Sequence, residues 1–367
     1  MVEIQMPLFE PKSNWRPPAI LPNLSGSIAI DLETQDPNIK KSGPGYKRRD
    51  GKVVGVAIAD KNTQVYLPFD HLGGDNLSRD VVITYTKKVV AEADELIMAN
   101  ATYDLGWLEV LGVSASSPVR DIQVAEALLD EEKFTYSLDS IAKKYLKKGK
   151  NEKRLQTAAD TYGVSAKADM WKLPARHVGT YAEADARLTY DVYQQQIPKL
   201  KEEELWQVWE LECELIPVLV YMSMQGVPVN LDAAEQLNNE LKVRESLLLK
   251  EFKHLDIWSP QQLGKYCESL GLKVPLTDKG NYSVAKDFLN HCEHPQVKKI
   301  QEARSINRLR KVFIEDIILN QNHNGRIHAD FRQTASDEGG TRSGRLSSSN
   351  PNMQQVPKRS DIGKRIR

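Results

Sequence analysis

The chain has 367 residues, 40% of them hydrophobic and 27% charged, which suits a soluble globular protein of two or three domains, each with its own core. Its three cysteines, Cys213, Cys267 and Cys292, have no paired or ligand-like spacing, and its longest apolar run, 215–224, is too short to span a bilayer, which argues against a disulfide scaffold, a zinc site or a membrane span and for a cytoplasmic protein. Basic and acidic residues balance at 50 each, but 298–367 holds 15 basic against 7 acidic residues, a bias that fits nucleic-acid phosphates at that end, with a solvated face as the plain alternative.

Residues 1–23 carry Pro7, Pro11, Pro17, Pro18 and Pro22 and read as an extended arm. Within it, Gln5-Met6-Pro7-Leu8-Phe9 is similar to the Q-x-x-L-F peptide by which replication proteins dock on a bacterial sliding clamp. The plainer expectation is that Leu8, Phe9 and Trp15 pack the arm onto the following domain. The apolar run from 27 ends in Asp31 and Glu33. Side chains two apart on a strand share a face, and like charges about 4 Å apart repel by roughly 4 kcal/mol at an effective dielectric of about 20. Such a pair separates, takes up a proton or binds a cation. The loop 36–50, with the basic run Lys47-Arg48-Arg49, is either a DNA-backbone contact or a solvated turn; it leads to strands at 53–59 and 64–69 and then to helices, an α/β domain.

A second apolar run ends at Asn100, and Asp104 falls in the first turn of a helix reaching 111, where a negative charge is favourable. Asp121 reads as the cap of a helix over 122–129. In a helix over 177–193, Tyr181 and Asp185 lie a turn apart on one face. Beyond 203 the pattern is mostly helical: 203–224, broken by Gly226 and Pro228; 237–255; and a start at Ser259-Pro260-Gln261-Gln262, with Ser as cap and Pro at the first position. From 297, Ile300, Ile306, Leu309, Phe313 and Ile317 mark one helix face and Arg304, Arg308 and Lys311 another, a solvated face or a rail for duplex phosphates. The glycine-rich stretch 339–344 lacks the Gly-Lys-Ser/Thr of a phosphate-binding loop.

Taken in order, D-x-E at Asp31 and Glu33, N-x-x-x-D at Asn100 and Asp104, and Y-x-x-x-D at Tyr181 and Asp185 resemble the three exonuclease motifs of the DEDD superfamily in its tyrosine-bearing form, as in the proofreading domains of DNA polymerases. The resemblance implies an RNase H-like α/β fold, with Asp31, Glu33, Asp104 and Asp185 around two divalent cations, Mg²⁺ or Mn²⁺, Tyr181 orienting the attacking water and Asn100 near the substrate strand. In-line displacement at a phosphodiester needs both the attacking and the leaving oxygen stabilised, which two cations held by hard oxygen ligands supply. A phenol of ordinary pKa, about 10, is a poor base at neutral pH, so orientation suits Tyr181 better than proton abstraction.

Gly344-Arg345-Leu346-Ser347-Ser348, followed by Asn350-Pro351-Asn352-Met353-Gln354-Gln355-Val356-Pro357, resembles the opening of the palm in family A DNA polymerases, T-G-R-L-S-S and then P-N-L-Q-N-I-P, with Ser343 where Thr is usual and Gln355 where Asn is usual. The resemblance, closest to the bacteriophage branch, implies that Arg345, Asn352 and Gln354 meet the minor groove near the primer terminus, where contacts test pairing geometry without reading sequence. The implied division is an arm over 1–23, a 3′-5′ exonuclease domain over 24–205, a helix leading into the palm over 206–229, a mainly helical thumb over 230–320 and a partial palm over 321–367. The thumb lacks the insertion that binds thioredoxin, so no such partner is expected. The sequence stops before the family's aspartate-bearing palm strand, so the expectation is a proofreading exodeoxyribonuclease that polymerises DNA only with a second chain carrying the fingers and the remaining palm. A free-standing DEDD exoribonuclease and a non-catalytic DNA-holding subunit are the alternatives.

Overall fold

The computed structural model describes residues 7–335 and 339–367, apart from the side chain of Lys286. The chain forms two compact units: one runs up to Gly226 and takes in His328–Asn352, the other comprises Val227–Ile327 and Met353–Arg367. No helix among the described residues is long and apolar enough to cross a membrane.

The first unit is built on a five-stranded sheet. β1 (Ser27–Gln35) is followed, after the short helix α1 (Ile39–Ser42), by β2 (Lys52–Ala59) and β3 (Gln64–Pro68), which pair antiparallel in succession. On the other side of β1 lie β4 (Glu95–Met98) and β5 (Val119–Asp121), both parallel to it and reached through helices α2 (Arg79–Glu92) and α3 (Ala101–Val110), the crossovers that parallel pairing requires. The strand order is therefore β3-β2-β1-β4-β5, and central β1 buries Ile28, Ala29 and Ile30 completely, covering both of its faces. Opposite Glu33 stands Gly55, where a Cβ would run into the Tyr66 ring that crosses there.

Helices α4 (Ile122–Leu129), α5 (Leu138–Leu146), α6 (Lys153–Tyr162), α7 (Ala175–Glu202) and α8 (Trp206–Gln225) complete this unit. Val178, Ala182, Asp185, Thr189 and Val192 recur at spacings of three and four along α7 and form the face it lays against β1, β2 and β3. The helix runs well past the expected 193 and through Pro198, because buried Gln196, bonded to the carbonyl of Ile122 at 3.1 Å, and buried Leu200 extend that face.

Two expectations for the ends of this unit need correction. Trp15 does pack the arm, donating to Glu183 at 2.9 Å with its ring 6.0 Å from that of Tyr66 and against the bare Cα of Gly179. Leu8 and Phe9 do not; they are 96% and 88% exposed, because the arm's ties ahead of Trp15 are polar, Glu10 to Arg176 and Ser13 to the carbonyl of Arg176. Gln5 and Met6 lie outside the described residues. In the basic run only Arg49 is exposed: Lys47 is buried in an ion pair with Asp330, and Arg48 bonds Asp50 and the carbonyls of Ser42 and Gly43, whereas 37–41 of the same loop, with Lys40 and Lys41, are solvated. Buried Asp330 needs such a counter-charge, since an unpaired carboxylate there would cost several kcal/mol, on the order of 3–5.

In the second unit, α9 (Leu231–Leu249) starts ahead of the expected 237 because Asn230 caps it, accepting from the amide of Ala233 at 3.0 Å. Ser259 caps α10 (Pro260–Ser269) through the amide of Gln262, as read from the sequence. After α11 (Lys286–His291), α12 (Pro295–Arg308) passes directly into a π-helix over Leu309–Leu319, so the single 3.6-residue repeat read across 300–317 does not hold beyond the junction. Arg308 and Lys311 are exposed, whereas Arg304 is half-buried over the Trp258 ring at 5.7 Å. Arg310, not singled out by the sequence, is buried between Glu245 and Glu315 at 3.0 and 2.6 Å.

Candidate active site

Three elements bring the acidic residues together. Strand alternation turns Asp31 and Glu33 to one face at the end of β1. Parallel pairing of β1 with β4 stops at Ala29, and the amide of Leu32, beyond that stop, is taken by Asp104, whose Oδ1 accepts it at 3.2 Å. Asp104 reaches that amide because β4 ends at Met98 and Asn100, with φ of 71°, turns the chain into α3. Asp121 fastens this junction: it accepts the amide of Ala101 at 2.6 Å and caps α4 through the amides of Gln123 and Val124. Tyr181 and Asp185, one turn apart, come in from the face of α7 that covers the sheet.

The electrostatics register how near these groups are. Burial pushes Asp31 up to about 7, with repulsion from Asp185 adding and attraction to Lys150 opposing. Glu33 and Asp104 are raised well above the carboxylate range, again by burial first and then by Asp31. Asp185 is raised by burial and held back by Lys150. The Tyr181 phenol is raised by burial and by Asp185, Glu33 and Asp31. Lys150 was not legible in the sequence: its Nζ lies 2.5 Å from Asp185 Oδ2 and donates to the Tyr181 hydroxyl at 3.1 Å. Burial lowers its pKa, but Asp185, Asp31 and Glu33 together outweigh that and raise it.

The donor set suits a hard divalent cation: four carboxylates, with Asp185 Oδ1 buried and without a hydrogen-bond partner. Among the described residues no three acidic, histidine or cysteine side chains yet close on a common point at coordinating distance. Behind Glu33, Tyr66 hydrogen-bonds His71 Nε2 at 2.6 Å, and His71 Nδ1 bonds the carbonyl of Leu173 at 3.0 Å. Beside the site, Tyr103 bonds Thr34 at 2.7 Å and, with exposed Asn100, lines a cleft of about 810 Å³ that also takes in Tyr136 and Arg332. Of the remaining expected DNA contacts, exposed Arg345 and partly buried Asn352 belong to the first unit, and Gln354, with Arg304, Arg308 and Lys311, to the second.

Comparison with known proteins agrees in both halves. The 3′-5′ exonuclease family matches residues 19–201, and DNA polymerase family A matches residues 229–367. A DNA-directed DNA polymerase of Pseudomonas phage M6 is 34% identical over 99% of this chain and 58% of its own length. DNA polymerase DpoZ of Salmonella phage PMBT28 is 27% identical over 93% of this chain and 57% of its own, and DNA polymerase I of Pseudomonas aeruginosa 29% identical over 93% and 38%. The chain thus spans less than two thirds of the length of these relatives. The POL domain of an M. smegmatis polymerase, solved in complex with DNA primer-template and dNTP, superposes with a TM-score of 0.70 at 19% identity, covering 93% of this chain and 54% of that one, a likeness of fold. With a 3′-5′ exonuclease domain followed by a polymerase segment, and phage polymerases matched over nearly its whole length, this chain belongs to family A of the DNA polymerases.

Proposed function

We propose that this chain is a proofreading 3′-5′ exodeoxyribonuclease, removing nucleotides one at a time from the 3′ end of single-stranded or frayed DNA and releasing nucleoside monophosphates during replication. The observation that carries this reading is that Asp31 and Glu33 on β1, Asp104 on α3, and Tyr181 and Asp185 on α7 lie near enough to act on one another's charges, with Asp104 held on the amide of Leu32 and Lys150 joining Asp185 to Tyr181. Two divalent cations, Mg²⁺ or Mn²⁺, held by the four carboxylates would supply the positive charge that steadies the attacking and leaving oxygens. Tyr181 keeps its proton at neutral pH, because burial and three carboxylates oppose the phenolate, so it orients the attacking water by hydrogen bond beside Glu33. Asn100, exposed at the rim of the cleft, guides the strand being trimmed.

In this reading the exonuclease domain is 24–205, the helix 206–229 leads into the palm, the thumb is 230–320 and 321–367 opens the palm; Arg304, Arg308, Lys311, Arg345, Asn352 and Gln354 contact primer-template DNA. The M. smegmatis neighbour, which holds such DNA, supports that role. The exposure of Leu8 and Phe9 leaves them available to a sliding clamp.

The test is digestion of labelled single-stranded DNA and of matching RNA by the purified chain with Mg²⁺. A ladder of shortened DNA, abolished in Asp31→Ala with its circular dichroism unchanged, is expected. Digestion of RNA alone would move the reading to an exoribonuclease, and no digestion at all to a DNA-holding subunit.

A further inference from the structure

Among the described residues, Lys150 is the one charged group in the site that the proposed chemistry leaves unused. It lies in the turn between α5 and α6, and its position is built rather than incidental: its amide donates to Asp139 Oδ1 at 2.9 Å, while Asp139 Oδ2 takes Lys143 at 2.6 Å. From that anchored backbone the side chain, 20% exposed, reaches inward until its ammonium meets Asp185 Oδ2 at 2.5 Å and the Tyr181 hydroxyl at 3.1 Å, 5.2 Å from the centre of the tyrosine ring. Asp31 and Glu33 face the same positive charge.

We propose that Lys150 is a built-in counter-ion of the carboxylate site: it holds Asp185 and Tyr181 in place while no divalent cation is bound, and it has to leave Asp185 before a cation can be coordinated there. This rests on the exonuclease reading and deepens it, making Lys150 a positioning residue that sets the cation concentration the site requires. The argument is electrostatic and steric. With Oδ2 held by Lys150, Asp185 has only Oδ1 to offer, and an ammonium on one oxygen and a divalent cation on the other compete for the charge of one carboxylate and repel each other, whereas clustered carboxylates with neither are strained by mutual repulsion.

The test uses the full chain without DNA: Mn²⁺ affinity by titration calorimetry, and melting in EDTA and in saturating Mn²⁺, for the wild type, Lys150→Met and Lys150→Arg, with Lys150→Gln standing in should the Met variant not fold. The uncharged variant should bind Mn²⁺ at least about tenfold more tightly, the factor that one pKa unit's worth of released competition gives. It should melt below the wild type in EDTA, with the gap closing in Mn²⁺, and Lys150→Arg should restore the wild-type pattern. Unchanged or weaker Mn²⁺ affinity would overturn the proposal, as would a melting deficit that persists in Mn²⁺ and so marks a merely structural lysine. Asp31→Asn separates the two readings: equal Mn²⁺ binding by wild type and Asp31→Asn would sink the carboxylate site itself, whatever Lys150 does.

Discussion

Replacing Asp31 by asparagine should destroy nuclease activity and, in the absence of divalent cations, stabilise the fold. In the folded, cation-free chain burial and Asp185 raise Asp31 from the ordinary 3.8 to about 7. A group whose folded pKa exceeds its unfolded one contributes stability that is present below the unfolded value and lost as pH rises through the folded value. Ionising Asp31 therefore works against the fold across the window from about 4 to about 7 and fully above it. Each unit between the two pKa values corresponds to about 1.4 kcal/mol, so at pH 8 the penalty is on the order of 2–4 kcal/mol, reduced from the simple product because neighbouring carboxylates share the strain. The asparagine side chain keeps the size and removes the charge. Urea unfolding in EDTA should find Asp31→Asn more stable than wild type at pH 8 by a few kcal/mol, on the order given by that linkage, with the advantage shrinking towards pH 4. With saturating Mn²⁺ the wild type should recover its deficit. An Asp31→Asn chain no more stable than wild type at pH 8 in EDTA would refute the strained-carboxylate account of this site.

Tyr181→Phe should leave folding intact and lower kcat by about tenfold or more with little change in KM, since the hydrogen bond that orients the water is lost together with the one accepted from Lys150; single-turnover digestion of DNA measures this. His71 is buried and held down to about 4 against its usual 6.5, so unfolded chains take up its proton first and stability falls as pH drops from 6.5 towards 4, by about 3 kcal/mol for this group. The slope of stability against pH in that window should be shallower in His71→Gln. Asp121→Ala removes the acceptor from three amides at the starts of α3 and α4 and should cost about 2–3 kcal/mol in urea unfolding, lowering nuclease activity as well because Asp104 is set by that junction.

The acidic residues were legible because each obeys a local period: two for Asp31 and Glu33 on β1, four for Tyr181 and Asp185 on α7, and a first-turn position for Asp104 on α3. The central strand and its neighbours were legible from apolar runs. Lys150 was not, because it stands on an irregular turn among Lys143, Lys144, Lys147, Lys148 and Lys153, and only the anchor at Asp139 and the direction of the turn select it. The pairing of Lys47 with Asp330 joins residues far apart in sequence, and nothing in either local pattern announces a buried ion pair. The π-helix after Arg308 escaped for another reason: apolar residues three and four apart satisfy an α-helical reading, while the wider turn is set by packing.

The central claim is tested most directly by a single strand of DNA carrying a label on its last nucleotide, incubated with the full chain and Mg²⁺. The account predicts immediate release of labelled mononucleotide from the 3′ end, and none from Asp185→Asn with an unchanged circular dichroism spectrum. Release from the 5′ end, internal cleavage, or equal activity in Asp185→Asn would contradict it.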